Sequence, residues 1–149
     1  MAGQGAGFGD AAVADQPPLR MGILGVGRIG RMHAGLLLRE VPGTTVTAVA
    51  DALPEVARNV ADSLGVVAME IDELLASDEV DAVAICTSTD THVDLILRAA
   101  SAGKAILCEK PVSLDLAEVD RALAAVEAAG VPFMVGFNRR FDAGHTAVA

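Results

Sequence analysis

Apolar residues fall into two alternating patterns along most of the chain. Arg20-Met-Gly-Ile-Leu-Gly25 is a short apolar run closed by glycine, which predicts a buried strand. Over 28–39, Ile29, Met32, Leu36 and Leu37 recur at helical spacing and define one apolar face. Pro42-Gly43 marks a turn, and the β-branched run Thr45-Val-Thr-Ala-Val-Ala50 predicts a second strand ending at Asp51. Pro54 near the start and Gly65 just past the end bound a helix over 53–64. Residues 66–68 read as a short third strand, and Asp72 is placed to cap a brief helix over 73–76. Val80 to Cys86 is almost wholly apolar, as a strand covered on both faces should be. A helix over 91–102 stops at Gly103, and a fifth strand over 105–108 runs into the polar break Glu109-Lys110-Pro111. A helix over 115–129 carries Leu116, Val119, Leu123 and Val126 on one face and ends at Gly130; residues 131–137 are a sixth strand.

Strand and helix alternating in this way specify βαβ units with right-handed crossovers. The expected fold is α/β, a doubly wound parallel sheet over residues 20–137, with ligands at the carboxyl ends of its strands. A chain of 149 residues, 52% of them apolar, suits one domain, and 21% charged residues argue against wholesale disorder. Residues 1–19 are Gly/Ala-rich, close on Pro17-Pro18 and have no periodicity, so they read as a disordered tail. That stretch has neither the basic start nor the continuous apolar core of a secretory signal. No apolar run reaches the ~18 residues of a membrane span.

Charge and composition then remove several classes of partner. Eleven Lys+Arg against 20 Asp+Glu leave a net charge of −9, which disfavours nucleic acid and anionic membranes. Four Phe with no Trp or Tyr leave no stacking platforms for single strands, and none of the Trp or Tyr faces of a carbohydrate module. Cys86 and Cys108 sit inside apolar runs without a CxxC or Cys/His cluster. They read as reduced core residues of a cytoplasmic protein, with no metal expected.

The first predicted strand leads into Gly25-Val26-Gly27-Arg28-Ile29-Gly30, a GxGxxG. Its setting is that of a dinucleotide fingerprint: strand before, helix after, and an acid near the end of the second strand. Gly25 suits the tight turn, Gly27 lets a pyrophosphate approach the backbone, and Gly30 lets the helix pack close. The helix start at Arg28 and Ile29 offers free N–H groups to that anion. A glycine-rich turn without a ligand is the plainer alternative. Asp51 lies 21 positions after Gly30, close to the ~20 expected of an acid that binds an adenosine ribose. A carboxylate there repels a 2′-phosphate, and the next residue, Ala52, supplies no cation, which favours NAD over NADP. A solvated turn aspartate is the alternative.

Two further strand ends carry polar groups. The fourth is followed by Thr87-Ser88-Thr89-Asp90-Thr91-His92, whose hydroxyls can face the cofactor's second half, while Thr91 or Asp90 can simply cap the next helix. The residues leave open whether His92 is structural. Lys110, after the fifth strand, is either a desolvated ammonium that steadies a developing alkoxide or a solvated strand end.

Taken together, GVGRIGRMHA at 25–34, Asp51, CTSTDTHVD at 86–94, GKAILCEKP at 103–111 and VGFNRRFD at 135–142 resemble the glucose–fructose oxidoreductase/inositol dehydrogenase/rhizopine-catabolism (Gfo/Idh/MocA) family. The resemblance covers roughly residues 20–142, and GFNRRFD looks like the family's inositol 2-dehydrogenases. It implies a Rossmann-type dinucleotide-binding domain over 20–137 and an NAD-dependent oxidation of a secondary alcohol on a polyol or sugar. Gly25, Gly27, Arg28, Ile29, Gly30 and Asp51 would hold NAD. Thr87, Ser88 and His92 would line its nicotinamide half, Glu109 and Lys110 would stand at the reaction centre, and Arg139 would reach the substrate. The family commonly has proline where this chain has Ser88.

Family members carry a second domain that completes the polyol site and forms homo-oligomers. Residues 138–149 read as its truncated start, so the 149-residue chain alone is expected to be inactive. His145 is not at the place of the family's catalytic histidine. A non-catalytic NAD(H)-binding module, or a reductase of the family acting on another sugar, are the competing readings.

Overall fold

The computed structural model describes residues 16–137; 1–15 and 138–149 lie outside the described residues, and with them most of the expected tail, Arg139 and His145. Eleven elements follow one another: β1 Leu19–Leu24, α1 Arg28–Arg39, β2 Thr44–Ala50, α2 Pro54–Leu64, β3 Val67–Ala68, α3 Ile71–Ala76, β4 Ala82–Ile85, α4 Thr89–Ser101, β5 Ala105–Glu109, α5 Leu116–Ala129 and β6 Phe133–Gly136. The six strands form one sheet in the order β3-β2-β1-β4-β5-β6, and every pair is parallel. This is the expected doubly wound sheet. Strand order reverses between β1 and β4, and that crevice is where such sheets bind ligands.

The two-residue period of the strands separates two cores. Met21 and Ile23 of β1, with Ala82 and Ala84 of β4, pack on one face with Ala34, Val60 and Ala61 of α1 and α2. Leu24, Val83 and Ile85 point to the other face, against Leu74 and Leu75 of α3, Val93, Leu95 and Ile96 of α4, and Ala122 and Val126 of α5. β4 carries buried residues on both faces, which accounts for its unbroken apolar run.

Several local expectations are corrected. Leu19 belongs to β1 rather than to a tail: its N–H donates to the Gly43 carbonyl at 2.8 Å. On α1, Gly30, Ala34 and Gly35 are buried and Leu37 packs against the core as expected, while Met32 and Leu36 are exposed. On α5, Leu116 and Leu123 are exposed, while Val119, Ala122 and Val126 pack inward. α3 starts at Ile71 with Glu70 before it, and Asp72 does not cap it but pairs with Arg98. β4 is shorter than 80–86 because the Val80 carbonyl accepts from the buried Lys104 ammonium at 2.7 Å. β6 begins only at Phe133, since Pro132 has no N–H to give the ladder.

At the sheet end away from the crevice, Arg20 grips Asp81 through Nε at 3.0 Å and Nη2 at 2.8 Å, and Arg20 N–H adds a third bond at 3.0 Å. These bonds hold the Asp81 carboxyl at about 2, below its ordinary 3.8. A carboxyl lowered on folding stabilises the fold above its unfolded value, and that contribution fades as pH falls through the folded value. The pair is partly solvated, so water screens it and its contribution is small. In urea melts, the stability gap between wild type and Asp81→Asn is therefore expected to narrow as pH falls from about 4 to about 2. A gap independent of pH would contradict this account.

Candidate functional site

Three strand ends meet at the crevice. After β1, Gly25 turns the chain with φ +84°, and its N–H donates to the Ala50 carbonyl at the end of β2 (2.8 Å). A Cβ on Gly25 would lie 2.7 Å from the Thr87 backbone nitrogen, just past β4, so the turn has no room for a side chain. One turn into α1, Gly30 lies against the same loop, where a Cβ would stand 1.9 Å from the Gly25 oxygen. Arg31 Nε donates to the Val26 carbonyl at 2.9 Å and fixes the loop from the helix side.

Gly27 differs from both. It is exposed, and a Cβ there would meet nothing within 4 Å. Nothing in the protein requires glycine at this position; the space suits a ligand that approaches the backbone. Gly27 is also the N-cap of α1, with no side chain capping the helix and no acid in its first turn. The first N–H groups of the helix thus stand at its positive end, a ready anion site. Arg28 and Ile29 supply two of those groups.

Asp51 follows β2. Its Oδ2 accepts from Val26 N–H at 2.9 Å and its Oδ1 from Leu53 N–H at 3.1 Å. A carboxylate has about four acceptor positions, so Asp51 ties the glycine loop to the turn after β2 and keeps lone pairs for hydroxyls. Asp51 and Ala52 line a cavity of about 400 Å³ together with Gly25, Gly27, Thr87 and Ser88. Its remaining wall comes from Cys86, from Ile71, and from Thr91, Asp94, Leu95 and Arg98 on one face of α4. These residues can hold a dinucleotide: an open backbone and an uncapped helix for its pyrophosphate, a carboxylate for a ribose, and a partly apolar recess beside it.

The other expected site residues stand apart from this cavity. His92 is buried within α4, with Nδ1 2.8 Å from the Pro111 carbonyl and Nε2 3.1 Å from the Thr87 carbonyl. Both ring nitrogens lie against backbone carbonyls, so the ring sits between the β4 end and the Lys110–Pro111 segment and does not line the cavity. Ser88, not Asp90 or Thr91, is the N-cap of α4 and makes no side-chain cap; the Thr91 hydroxyl instead lies 2.8 Å from the Ser88 carbonyl. Glu109 is half-buried, and its Oε1 lies 2.6 Å from Nε2 of His33 on α1. Lys110 is exposed, so the desolvated ammonium is not what this chain presents. Cys86 and Cys108 are free, and both thiols are pushed up to about 12, first by burial and then by the Glu109 carboxylate, which makes them poor nucleophiles.

Ile71, Asp94, Leu95, Arg98 and His33 are not singled out by the sequence. Asp94, Leu95 and Arg98 share the face of Thr91 at helical spacing, a signal present in the chain. His33 sits in the GVGRIGRMHA run, yet nothing local announces its partner 76 positions away.

The family model described as "Oxidoreductase family, NAD-binding Rossmann fold" (GFO_IDH_MocA) matches residues 19–137. The chain belongs to the Gfo/Idh/MocA family. It is 48% identical to an inositol 2-dehydrogenase of Rhizobium meliloti strain 1021, over 87% of this chain and 39% of that protein. A crystal structure of scyllo-inositol dehydrogenase from Lactobacillus casei, with bound NAD(H) and scyllo-inositol, superposes with a TM-score of 0.82 at 28% identity, over 88% of this chain and 39% of that one. A 3-ketoreductase from Actinomadura kijaniata in complex with TDP-benzene and NADP gives 0.81 at 31% identity, over 88% and 42%. The chain therefore spans about two fifths of the relatives it matches, and the part it spans is the NAD-binding Rossmann domain.

The two helix-start glycines are expected to respond differently to one added methyl. Gly27→Ala should leave the melting temperature within a few degrees of wild type while weakening NAD binding by about 10- to 100-fold. Gly30→Ala should destabilise the fold by roughly 1–3 kcal/mol or more, because its Cβ has no space. Calorimetric melting and NADH fluorescence titration read both effects; a Gly27→Ala variant that binds like wild type would contradict the assignment of that space to a ligand.

Proposed function

We propose that this chain supplies the cofactor-holding portion of an oxidoreductase that transfers a hydride from a secondary alcohol carbon of an inositol-type polyol to NAD. One observation carries the reading. Asp51, the open Gly27 backbone and the uncapped start of α1 border one recess, in a chain 48% identical to an inositol 2-dehydrogenase. Gly27, Arg28 and Ile29 hold the pyrophosphate on their N–H groups. Asp51 takes the adenosine ribose hydroxyls and keeps a 2′-phosphate away. Thr87 and Ser88 border the path toward the nicotinamide half, while His92 positions that loop from behind. When bound, NAD supplies the hydride acceptor.

Lys110 is the catalytic contact in this reading: its ammonium donates to the substrate hydroxyl and steadies the oxygen as its proton departs. Glu109, fixed by His33, supports that strand end, and Arg139 reaches the substrate. Because Lys110 is exposed, the walls and the proton acceptor come from elsewhere in a longer, homo-oligomeric protein. The two free cysteines fit a cytoplasmic setting. No helix among the described residues is long and apolar enough to cross a membrane.

Since a relative of similar fold binds NADP, cofactor choice rests on Asp51 and Ala52. Wild type is expected to bind NAD about 10- to 100-fold more tightly than NADP, as a bidentate charged contact of ~1.5–3 kcal/mol would give. Asp51→Asn, which keeps one acceptor for the loop, should narrow that gap. Equal affinities in the wild type would refute the argument. With excess myo-inositol, the 149-residue chain should form no NADH above background, since lack of a general base alone costs ~10²–10⁴-fold. Robust turnover abolished by Lys110→Ala would show that no further residues are needed.

A further inference from the structure

The cavity wall holds one basic residue among the described residues, Arg98, and its surroundings decide what it can do. It stands on the α4 face of Thr91, Asp94 and Leu95, in the same recess as Asp51 and Ile71. Its Nη1 lies 3.2 Å from Asp94 Oδ2, and its Nη2 pairs with Asp72 of α3. Two carboxylates from two elements thus engage one guanidinium. Both carboxylates are exposed, Asp72 at 90% and Asp94 at 68%, so the pairs orient the guanidinium without fixing it, and its side chain stays 36% exposed.

The inference rests on the dinucleotide reading. With the pyrophosphate at Gly27–Ile29 and the ribose on Asp51, the base is one glycosidic bond from the ribose and must occupy the same recess. Beside Asp51 that recess is lined by Ala52, Ile71 and Arg98, with the mostly buried Leu95 behind them. A guanidinium is planar and weakly hydrated, and stacks on aromatic faces. We propose that Arg98, paired with Asp72 and Asp94, is the platform on which the adenine base stacks, and that it does not serve as a receptor for a 2′-phosphate. The two carboxylates partly offset its charge, and its planar face is what it offers a base. They add to the negative field of Asp51, which disfavours a 2′-phosphate in the same recess.

The test uses the full chain and three ligands: NAD, NADP and nicotinamide mononucleotide, which lacks the adenine. Calorimetric titration reads the dinucleotides and saturation-transfer NMR reads the weak mononucleotide. Arg98→Ala should weaken NAD by about 3- to 30-fold, weaken NADP by the same factor, and leave the mononucleotide unchanged. Arg98→Lys, which keeps charge but not the plane, should lose a comparable share. Circular dichroism of each variant reports the fold, and Arg98→Met replaces any variant that fails to fold. Unchanged NAD affinity in Arg98→Ala would overturn the proposal. A loss confined to NADP would overturn it too, by making Arg98 a phosphate receptor. An equal loss for the mononucleotide would reduce Arg98 to a structural role. If the wild type binds no dinucleotide, the functional reading itself fails; if it binds and Arg98→Ala binds equally, only the platform fails.

Discussion

Between Gly30 and the carbonyl of Gly25 there is no room for a methyl group, since a Cβ would stand 1.9 Å from that oxygen. This contact sets how low α1 rides on the sheet. Close to that contact the buried residues of α1 are small, Gly30 and Ala34, whereas Met32 and Leu36 are exposed and Leu37 and Leu38 pack partly against the core. The same contact brings the uncapped start of α1 to the end of β1, beside the ends of β2 and β4. Anion-binding geometry here is thus a consequence of packing, and the ligand need not assemble it.

Asp51 joins the two halves of that geometry. By accepting from Val26 and Leu53 it holds the glycine loop to the turn after β2, so the carboxylate proposed for the ribose also maintains the loop proposed for the pyrophosphate. Removing it outright would confound recognition with local order, which is why an amide is the more informative replacement. At the other side of the crevice, His92 and the His33–Glu109 pair play a comparable supporting part. They couple α4 and α1 to the strand ends from which Lys110 projects.

Much of this was legible in the sequence. The strand–helix alternation, the parallel sheet and the roles of Gly25 and Gly30 follow from periodicity and glycine spacing. Three kinds of feature did not. Helix faces on α1 and α5 were only partly legible: Leu37, Val119 and Val126 pack inward as the period expects, but close packing also buries small residues such as Ala34 and Ala122 that periodicity does not rank. The cap of α3 was misread because Asp72 has a distant partner, Arg98, that competes for its carboxylate. His92 was ambiguous for a related reason: its partners are backbone carbonyls of Thr87 and Pro111, which leave no trace in residue identity. Long-range pairs of this kind become visible only once the chain is folded.

The central claim is that this crevice holds NAD, with its pyrophosphate on the α1 start and its adenosine ribose on Asp51. A crystal structure of the chain with NAD would test it most directly. The account predicts phosphate oxygens within hydrogen-bond distance of the Gly27–Ile29 amides and both ribose hydroxyls on the Asp51 carboxylate. A dinucleotide bound elsewhere on the sheet, or one whose pyrophosphate avoids those amides, would contradict it.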